Sequence, residues 1–110
     1  MSSPKMVAPD AAFAVLEARA EEASRLLAAM ANTKRLMVLC SLLEGERPVG
    51  QLAAAVDLSS AAMSQHLGKM RALGLVETRR DGQTIYYRLA SDEVRAILET
   101  LYRLYCATAC

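Results

Sequence analysis

The sequence predicts a mainly α-helical fold that carries one β-hairpin, and three observations support this fold class. Apolar residues recur at intervals of three and four along most of the 110 residues, which is the period of amphipathic helices. Capping residues and glycines divide these stretches into short elements. The dipeptide Asp81-Gly82 separates two runs rich in β-branched and aromatic residues, which is a strong hairpin signal. We therefore expect four helices, two strands and a final helix, in that order.

The first helix is expected to follow a disordered tail. Residues 1–9 contain Ser, Pro and Lys without periodicity, whereas residues 10–110 are predicted to form a single domain. Asp10 is a possible N-cap of the helix. The apolar residues that follow alternate at spacings of three and four, as in a coiled-coil seam: Phe13, Leu16, Ala20, Ala23, Leu27 and Met30. This seam either covers the domain's own core or packs against a helix of a second chain.

Three further helices are predicted before the hairpin. Asn32 is a suitable N-cap for a second helix over 33–43, and Pro48 favours the start of a third helix over 48–55. After a tight turn at residues 57–58, Ser59 or Ser60 caps a fourth helix that runs to about residue 73. Gly74 then stops that helix. Its expected apolar face consists of Met63, Leu67, Met70 and Leu73.

The predicted hairpin pairs residues 75–80 with residues 83–89. Asp81-Gly82 is expected to form a type I′ turn, which needs a positive φ at both central residues. A last helix begins after Ser91, a good N-cap. Its apolar stripe consists of Val94, Ile97, Leu98, Leu101, Leu104 and Tyr105.

Two short helices joined by a tight turn and followed by a hairpin form the plan of a winged helix-turn-helix. The fourth helix would then enter the major groove of DNA as the recognition helix. Its predicted DNA-contacting side chains are small, polar or basic: Ser59, Ser60, Ser64, Gln65 and Lys69. Gln65 can pair with an adenine edge, and no acidic residue occurs from residue 58 to residue 76. The alternative is an ordinary solvated helix face.

The hairpin, or wing, supplies the remaining predicted DNA contacts, Arg79, Arg80 and Gln83. Residues 58–90 carry five basic and two acidic side chains, although the whole chain has a net charge of only +1. Basic side chains at a hairpin tip suit phosphates or a narrow minor groove. The alternative is that they protect an exposed strand edge from aggregation.

The composition argues against several other classes of protein. No stretch approaches the ~20 apolar residues of a membrane span, and residues 1–12 do not resemble a signal peptide, so we expect a cytoplasmic protein without a membrane partner. No Cys-x-x-Cys pair or Gly-rich phosphate loop occurs, so we expect neither an enzyme nor a cofactor. The only histidine, His66, lies next to the buried side of the fourth helix. There it is expected to pack or to contact a phosphate, and no metal site is predicted.

Three cysteines remain, and their spacing leaves their role open. Cys40 lies on the second helix, Cys106 near the end of the last helix, and Cys110 is the final residue. In a cytoplasmic protein, sparse cysteines are commonly redox-active, metal-binding or merely buried. Cys40 and Cys106 are therefore either small buried hydrophobes or a functional pair.

The chain resembles the ArsR/SmtB family of bacterial winged-helix repressors over residues 30–106. The motifs that carry the resemblance are "SSAAMSQHLGKMRALGLV" in the fourth helix and "RRDGQTIYYRL" in the hairpin. The resemblance implies a homodimer formed by the first and last helices. It also implies that this dimer represses transcription from an inverted repeat in double-stranded DNA, which an inducer makes it release.

Two further segments, "RLMVLCSLLEGE" and "LYRLYC", resemble the dithiol, persulfide-sensing branch of that family (the BigR, SqrR and HlyU type). This likeness implies that Cys40 and Cys106 sense a small sulfur inducer by forming a disulfide or polysulfide bridge. The Cys-rich third helix of the thiol-metal members and the His ligands of the zinc members are both missing. Cys110 departs from the dithiol pattern, and with Cys40 and Cys106 it would suit arsenite or another soft metal, which is the alternative inducer.

Overall fold

The computed structural model describes residues 9–106, which form five α-helices and one small antiparallel sheet. The elements in chain order are α1 (Pro9–Met30), α2 (Thr33–Ser41), a 3₁₀ turn (Leu42–Glu44), β1 (Arg47–Pro48), α3 (Val49–Ala55), α4 (Ser60–Ala72), β2 (Val76–Asp81), β3 (Thr84–Leu89) and α5 (Asp92–Tyr105). This order confirms the mainly helical fold with a hairpin wing. Nearly all of the predicted tail, residues 1–8, lies outside the described residues, as does Cys110.

Side-chain caps fix where three of the helices begin. Asn32 Oδ1 accepts from the N–H of Arg35 at 3.0 Å, and Ser91 Oγ accepts from the N–H of Val94 at 3.1 Å. Of the two serines considered for α4, Ser59 is the cap, and its Oγ lies 3.0 Å from the N–H of Ala62. Each cap satisfies a backbone donor that the first helical turn leaves free.

The predicted start of α1 is wrong by one residue. The helix begins at Pro9, so Asp10 lies inside the first turn and is not its N-cap. Proline suits this place because its fixed φ is already helical and its missing N–H has no partner in a first turn.

The core lies between α2, α3, α4 and the start of α5, with the sheet at one side. Its fully buried side chains are mostly Leu, Met and Val, and include Leu39, Leu52, Met63, Leu67, Met70 and Leu98. Leu73 was expected on the buried face of α4 but is 52% exposed. The helix ends at Ala72 and the chain turns away through Gly74, whose φ is +78°, so Leu73 leaves the helical face.

The wing differs from the prediction in register and in strand number. Asp81 pairs with Thr84, so the loop is Gly82-Gln83 and not Asp81-Gly82. Of these two loop residues only Gly82 has a positive φ, +66°, the pattern of a type II′ turn with glycine at its first central position. A third strand, β1, pairs antiparallel with β3, which gives the sheet order β1-β3-β2. Only two residues form β1, too few to show an alternating pattern.

Among the described residues, no single helix is long and apolar enough to cross a membrane. Only α1 and the α2 region taken together pass that test of length and composition, and the pair is bent by 90° between them.

Candidate functional site

The first part of the candidate site is the outer face of α4. Buried Met63, Leu67 and Met70 fix one side of the helix against the core. The predicted contact residues are consequently all exposed: Ser59, Ser60, Ser64, Gln65 and Lys69. Ser59 also caps the helix, because its Oγ accepts from the backbone, and its hydroxyl proton stays available for donation.

This face presents hydrogen-bonding groups without negative charge. No Asp or Glu lies on α4, and Lys69 and Arg71 occupy its last turn. The side chains of Ser60, Ser64 and Gln65 have no partner within residues 9–106, so they are available to an external ligand. A surface of this kind can approach a polyanion closely.

The three predicted wing residues differ in their availability. Arg79 Nη2 donates to Glu46 Oε2 at 2.7 Å, and Arg79 Nε lies 3.1 Å from Glu46 Oε1. The Arg79 guanidinium also stacks 4.7 Å from the centre of the Tyr86 ring. Arg80 and Gln83 are exposed and have no partner in the described part of the chain. A DNA contact from Arg79 would thus compete with Glu46, whereas Arg80 and Gln83 are free to bind.

Glu46 stays ionised under this arrangement. The hydrogen bonds from Arg79 lower the pKa of the Glu46 carboxyl below its ordinary value. Glu46 lies outside the predicted contact set because it is 33 residues from Arg79 in the chain, and no local pattern joins them.

The second part of the candidate site is a pair of free thiols between α2 and the end of α5. Cys40 is on α2, Cys106 is the C-cap residue of α5, and both are half-buried. The N–H of Cys106 donates to the carbonyl of Tyr102 at 2.8 Å, which keeps the residue on the helical path.

Both thiols line one cavity of about 1020 Å³ whose walls are mainly apolar. Burial raises the pKa of the Cys40 thiol above its ordinary value, and the nearby charge of Cys106 raises it further. The structure therefore brings the two predicted sensing residues to one place. Within residues 9–106, no group of three or more His, Cys, Asp or Glu side chains could hold a metal ion.

The third part is an apolar surface that the chain itself leaves uncovered. The seam of α1 was expected either to cover the core or to face a partner helix. Its N-terminal half does not reach the core, since Phe13 is 66% and Leu16 61% exposed, whereas Met30 at the other end is buried. At the far end of α5, Leu104 and Tyr105 are 68% and 77% exposed.

Comparison with known proteins identifies similar chains. Residues 32–78 match the family model described as "Bacterial regulatory protein, arsR family". The chain is 50% identical over 91 residues to the transcriptional activator HlyU of Vibrio cholerae, which covers 83% of this chain and 84% of that protein. It is 56% identical over 86 residues to the nodulation protein NolR of Rhizobium meliloti, which covers 78% and 70% of the two chains.

A solved structure of a similar chain has the same fold. The transcriptional repressor BigR from Xylella fastidiosa superposes with a TM-score of 0.80 at 38% identity, over 86% of this chain and 97% of that one. This similarity confirms the winged-helix prediction.

Proposed function

The chain belongs to the ArsR family of bacterial regulatory proteins, and from this membership we propose that it is a homodimeric repressor that leaves its operator when Cys40 and Cys106 are oxidised. Its relatives are transcriptional regulators, and the chain is accordingly a DNA-binding regulator and not an enzyme.

In the proposed complex, α4 enters the major groove and β2 and β3 reach along the backbone. Gln65 reads a base edge, and Ser60, Ser64 and Lys69 contact bases or phosphates. Ser59 contacts the backbone through its hydroxyl proton while it caps the helix. Arg80 and Gln83 contact the DNA from the wing tip, and Arg79 joins them when it leaves Glu46. The exposed face of α4, free of acidic residues, supports this docking.

The proposed dimer joins the apolar surfaces of α1 and α5 to their copies in a second protomer. A two-fold axis between them presents two α4 helices to two half-sites, and the operator is therefore an inverted repeat. The exposed side chains of Phe13, Leu16, Leu104 and Tyr105 support the interface, since large apolar side chains left uncovered on a helix are typical of an interaction surface.

The proposed signal is a reactive sulfur species, of which a persulfide RSSH is the simplest. The thiolate of one cysteine attacks the outer sulfur, the S–S bond of RSSH breaks, and RS⁻ leaves a cysteine persulfide behind. The second thiolate attacks the cysteine sulfur of that persulfide and releases HS⁻. Two thiols and one RSSH thus give one disulfide, one RSH and one H₂S. A bridge that keeps one transferred sulfur atom consumes a second RSSH and releases a second RSH.

One observation carries the sensing proposal: Cys40 and Cys106 line one cavity and lie close enough for the charge of Cys106 to act on Cys40. A bridge between them would tie α2 to α5, because a disulfide holds its two Cα atoms within ~7 Å. Only a difference in DNA affinity between the bridged and free forms can release the operator.

The test is mass spectrometry of the intact reduced protein and of its peptides after treatment with a persulfide donor. We expect a Cys40–Cys106 crosslink, with or without added sulfur, that Cys40→Ser and Cys106→Ser each abolish. A parallel sample receives arsenite. A stable arsenic adduct that includes Cys110, without any crosslink after the persulfide, would replace this proposal with the soft-metal alternative. No modification in either sample would leave both thiols as packing residues.

A further inference from the structure

Arg35, in the first turn of α2, holds three helices together at one point. Its Nε donates to Nδ1 of His66 on α4 at 3.2 Å, and its Nη1 donates to the carbonyl of Ala29 in the last turn of α1 at 3.4 Å. Both contacts are partly buried. One guanidinium therefore connects the helix that carries Cys40 to the helix that faces DNA.

The contact with Arg35 also fixes where His66 holds its proton. A guanidinium has only donors, so the nitrogen that accepts from it carries no hydrogen. The neutral imidazole ring must then carry its proton on Nε2. Arg35 thus selects one tautomer and one orientation of the ring.

The Nε2–H group of His66 faces solvent. Within residues 9–106 no hydrogen bond engages Nε2. In that same part of the chain no buried side-chain nitrogen or oxygen lacks a hydrogen-bond partner, so Nε2 is not buried. The half-buried ring consequently presents a free donor beside Gln65, on the helix that enters the groove. Side-chain donors at the edge of a recognition helix commonly bind phosphate oxygens.

We propose that Arg35 is a positioning residue for DNA binding, which orients His66 so that its Nε2–H donates to a phosphate oxygen of the DNA backbone. This inference rests on the proposed docking of α4. The donor is neutral, so the contact contributes a hydrogen bond and releases no counterion. Its loss weakens binding to every duplex alike and leaves the salt dependence unchanged.

Two amide substitutions separate this role from simple packing of the helices. His66→Asn places its amide near the position of Nδ1, where it can still accept from Arg35, but it removes the outer donor. His66→Gln reaches the position of Nε2 and keeps that donor. A merely structural His66 would tolerate Asn at least as well as Gln.

The experiment measures fluorescence anisotropy of an inverted repeat selected from random duplexes, and of an unrelated duplex, with each variant. We expect His66→Asn to weaken binding to both duplexes by about tenfold, since it loses a hydrogen bond to a charged phosphate. We expect His66→Gln to retain most of the affinity. Arg35→Gln should lose as much as His66→Asn, and the double variant should lose no more than either one. Arg71 is exposed on the same helix. Arg71→Gln removes a positive charge and is expected to reduce the salt dependence of binding, which His66→Asn should leave unchanged.

An independent readout uses the fact that His66 is the only histidine. The ¹⁵N shifts of its ring should show the Nε2–H tautomer alone in the free wild-type protein and a mixture in Arg35→Gln. Affinity of His66→Asn equal to that of the wild type, or additive losses in the double variant, would overturn this role alone. A wild-type chain that bound no duplex would overturn the proposed function, and the role of Arg35 with it. If Arg35→Gln does not fold, the comparison of His66→Asn with His66→Gln still tests the proposed role.

Discussion

Some side chains of the candidate site have no hydrogen-bond or ion-pair partner in the described part of the chain, whereas others already have one. Gln65 and Arg80 have no partner within residues 9–106, whereas Ser59 caps α4 and Arg79 is paired with Glu46. A free group can offer its full hydrogen-bonding capacity to a ligand, while an engaged group must first lose its partner.

Gln65→Ala and Arg80→Ala should weaken DNA binding in different ways. Gln65→Ala should cost about 1–3 kcal/mol of discrimination at one base position, because a bidentate contact to the base is lost. Arg80→Ala should weaken binding to all duplexes and lower the salt slope by about 1, because a phosphate contact is lost. Anisotropy titrations on the selected repeat and its point variants distinguish the two. Unchanged affinity in both variants would show that α4 and the wing do not contact DNA.

Cys40 should be a slow nucleophile at neutral pH. Its burial and the charge of Cys106 both oppose the thiolate, so its pKa is raised and its thiolate fraction is lower than that of a free cysteine. The rate of Cys40 alkylation by iodoacetamide, followed by peptide mass spectrometry across a pH series, should therefore rise at higher pH than in urea-unfolded protein. Cys106→Ser should move this rise back toward lower pH. A rise at lower pH in the folded protein would contradict the assigned environment.

At the scale of elements, the structure shows how much the sequence predicts. The caps Asn32 and Ser91 act on amides three residues away, so local patterns were sufficient to find them. The β1–β3 pairing joins Arg47 to Tyr87, and no local pattern reports a contact across 40 positions. The hairpin loop is Gly82-Gln83 because strand pairing, which depends on the whole sheet, sets the register.

The candidate site was predictable to a similar degree. The exposed face of α4 follows from helical periodicity and the N-cap. The engagement of Arg79 by Glu46 does not, since the two side chains meet only after the sheet forms. The Arg35–His66 contact is likewise formed between two helices 31 residues apart.

The wing should bind DNA more strongly when Glu46 is neutral. Glu46→Gln removes the carboxylate that engages Arg79 and releases one positive charge toward the phosphates. We expect higher affinity for all duplexes and a salt slope steeper by about 1. The matched control is Glu44→Gln, whose carboxylate pairs with Arg47 and not with Arg79. Equal affinities of the wild type and Glu46→Gln would show that Arg79 does not approach DNA.

At the scale of the whole molecule, α2 joins the thiol pair to the DNA-binding unit. It carries Cys40, it holds α4 through Arg35, and Lys34 Nζ donates to the carbonyl of Val56 at the end of α3 at 2.5 Å. The proposed bridge from Cys40 to Cys106 would therefore act on a helix that contacts both helices of the helix-turn-helix. In a dimer, a shift of α2 caused by this bridge would change the spacing of the two α4 helices.

The dimer should depend on the seam of α1. Leu16→Asp places a charge in the proposed interface and should shift sedimentation from dimer to monomer, with a large loss of affinity for the inverted repeat. Ala18→Asp adds the same charge on an exposed position away from the seam and should leave the dimer intact. Dimeric Leu16→Asp protein would place the interface elsewhere.

The most direct test of the account measures affinity for the selected inverted repeat before and after treatment with a persulfide donor. The wild type should bind tightly when reduced, lose affinity when the Cys40–Cys106 bridge forms, and recover it with a reductant. Cys106→Ser should bind equally well before and after treatment. Equal affinity of the bridged and reduced wild-type protein would contradict the account, because the bridge would then carry no signal to the DNA.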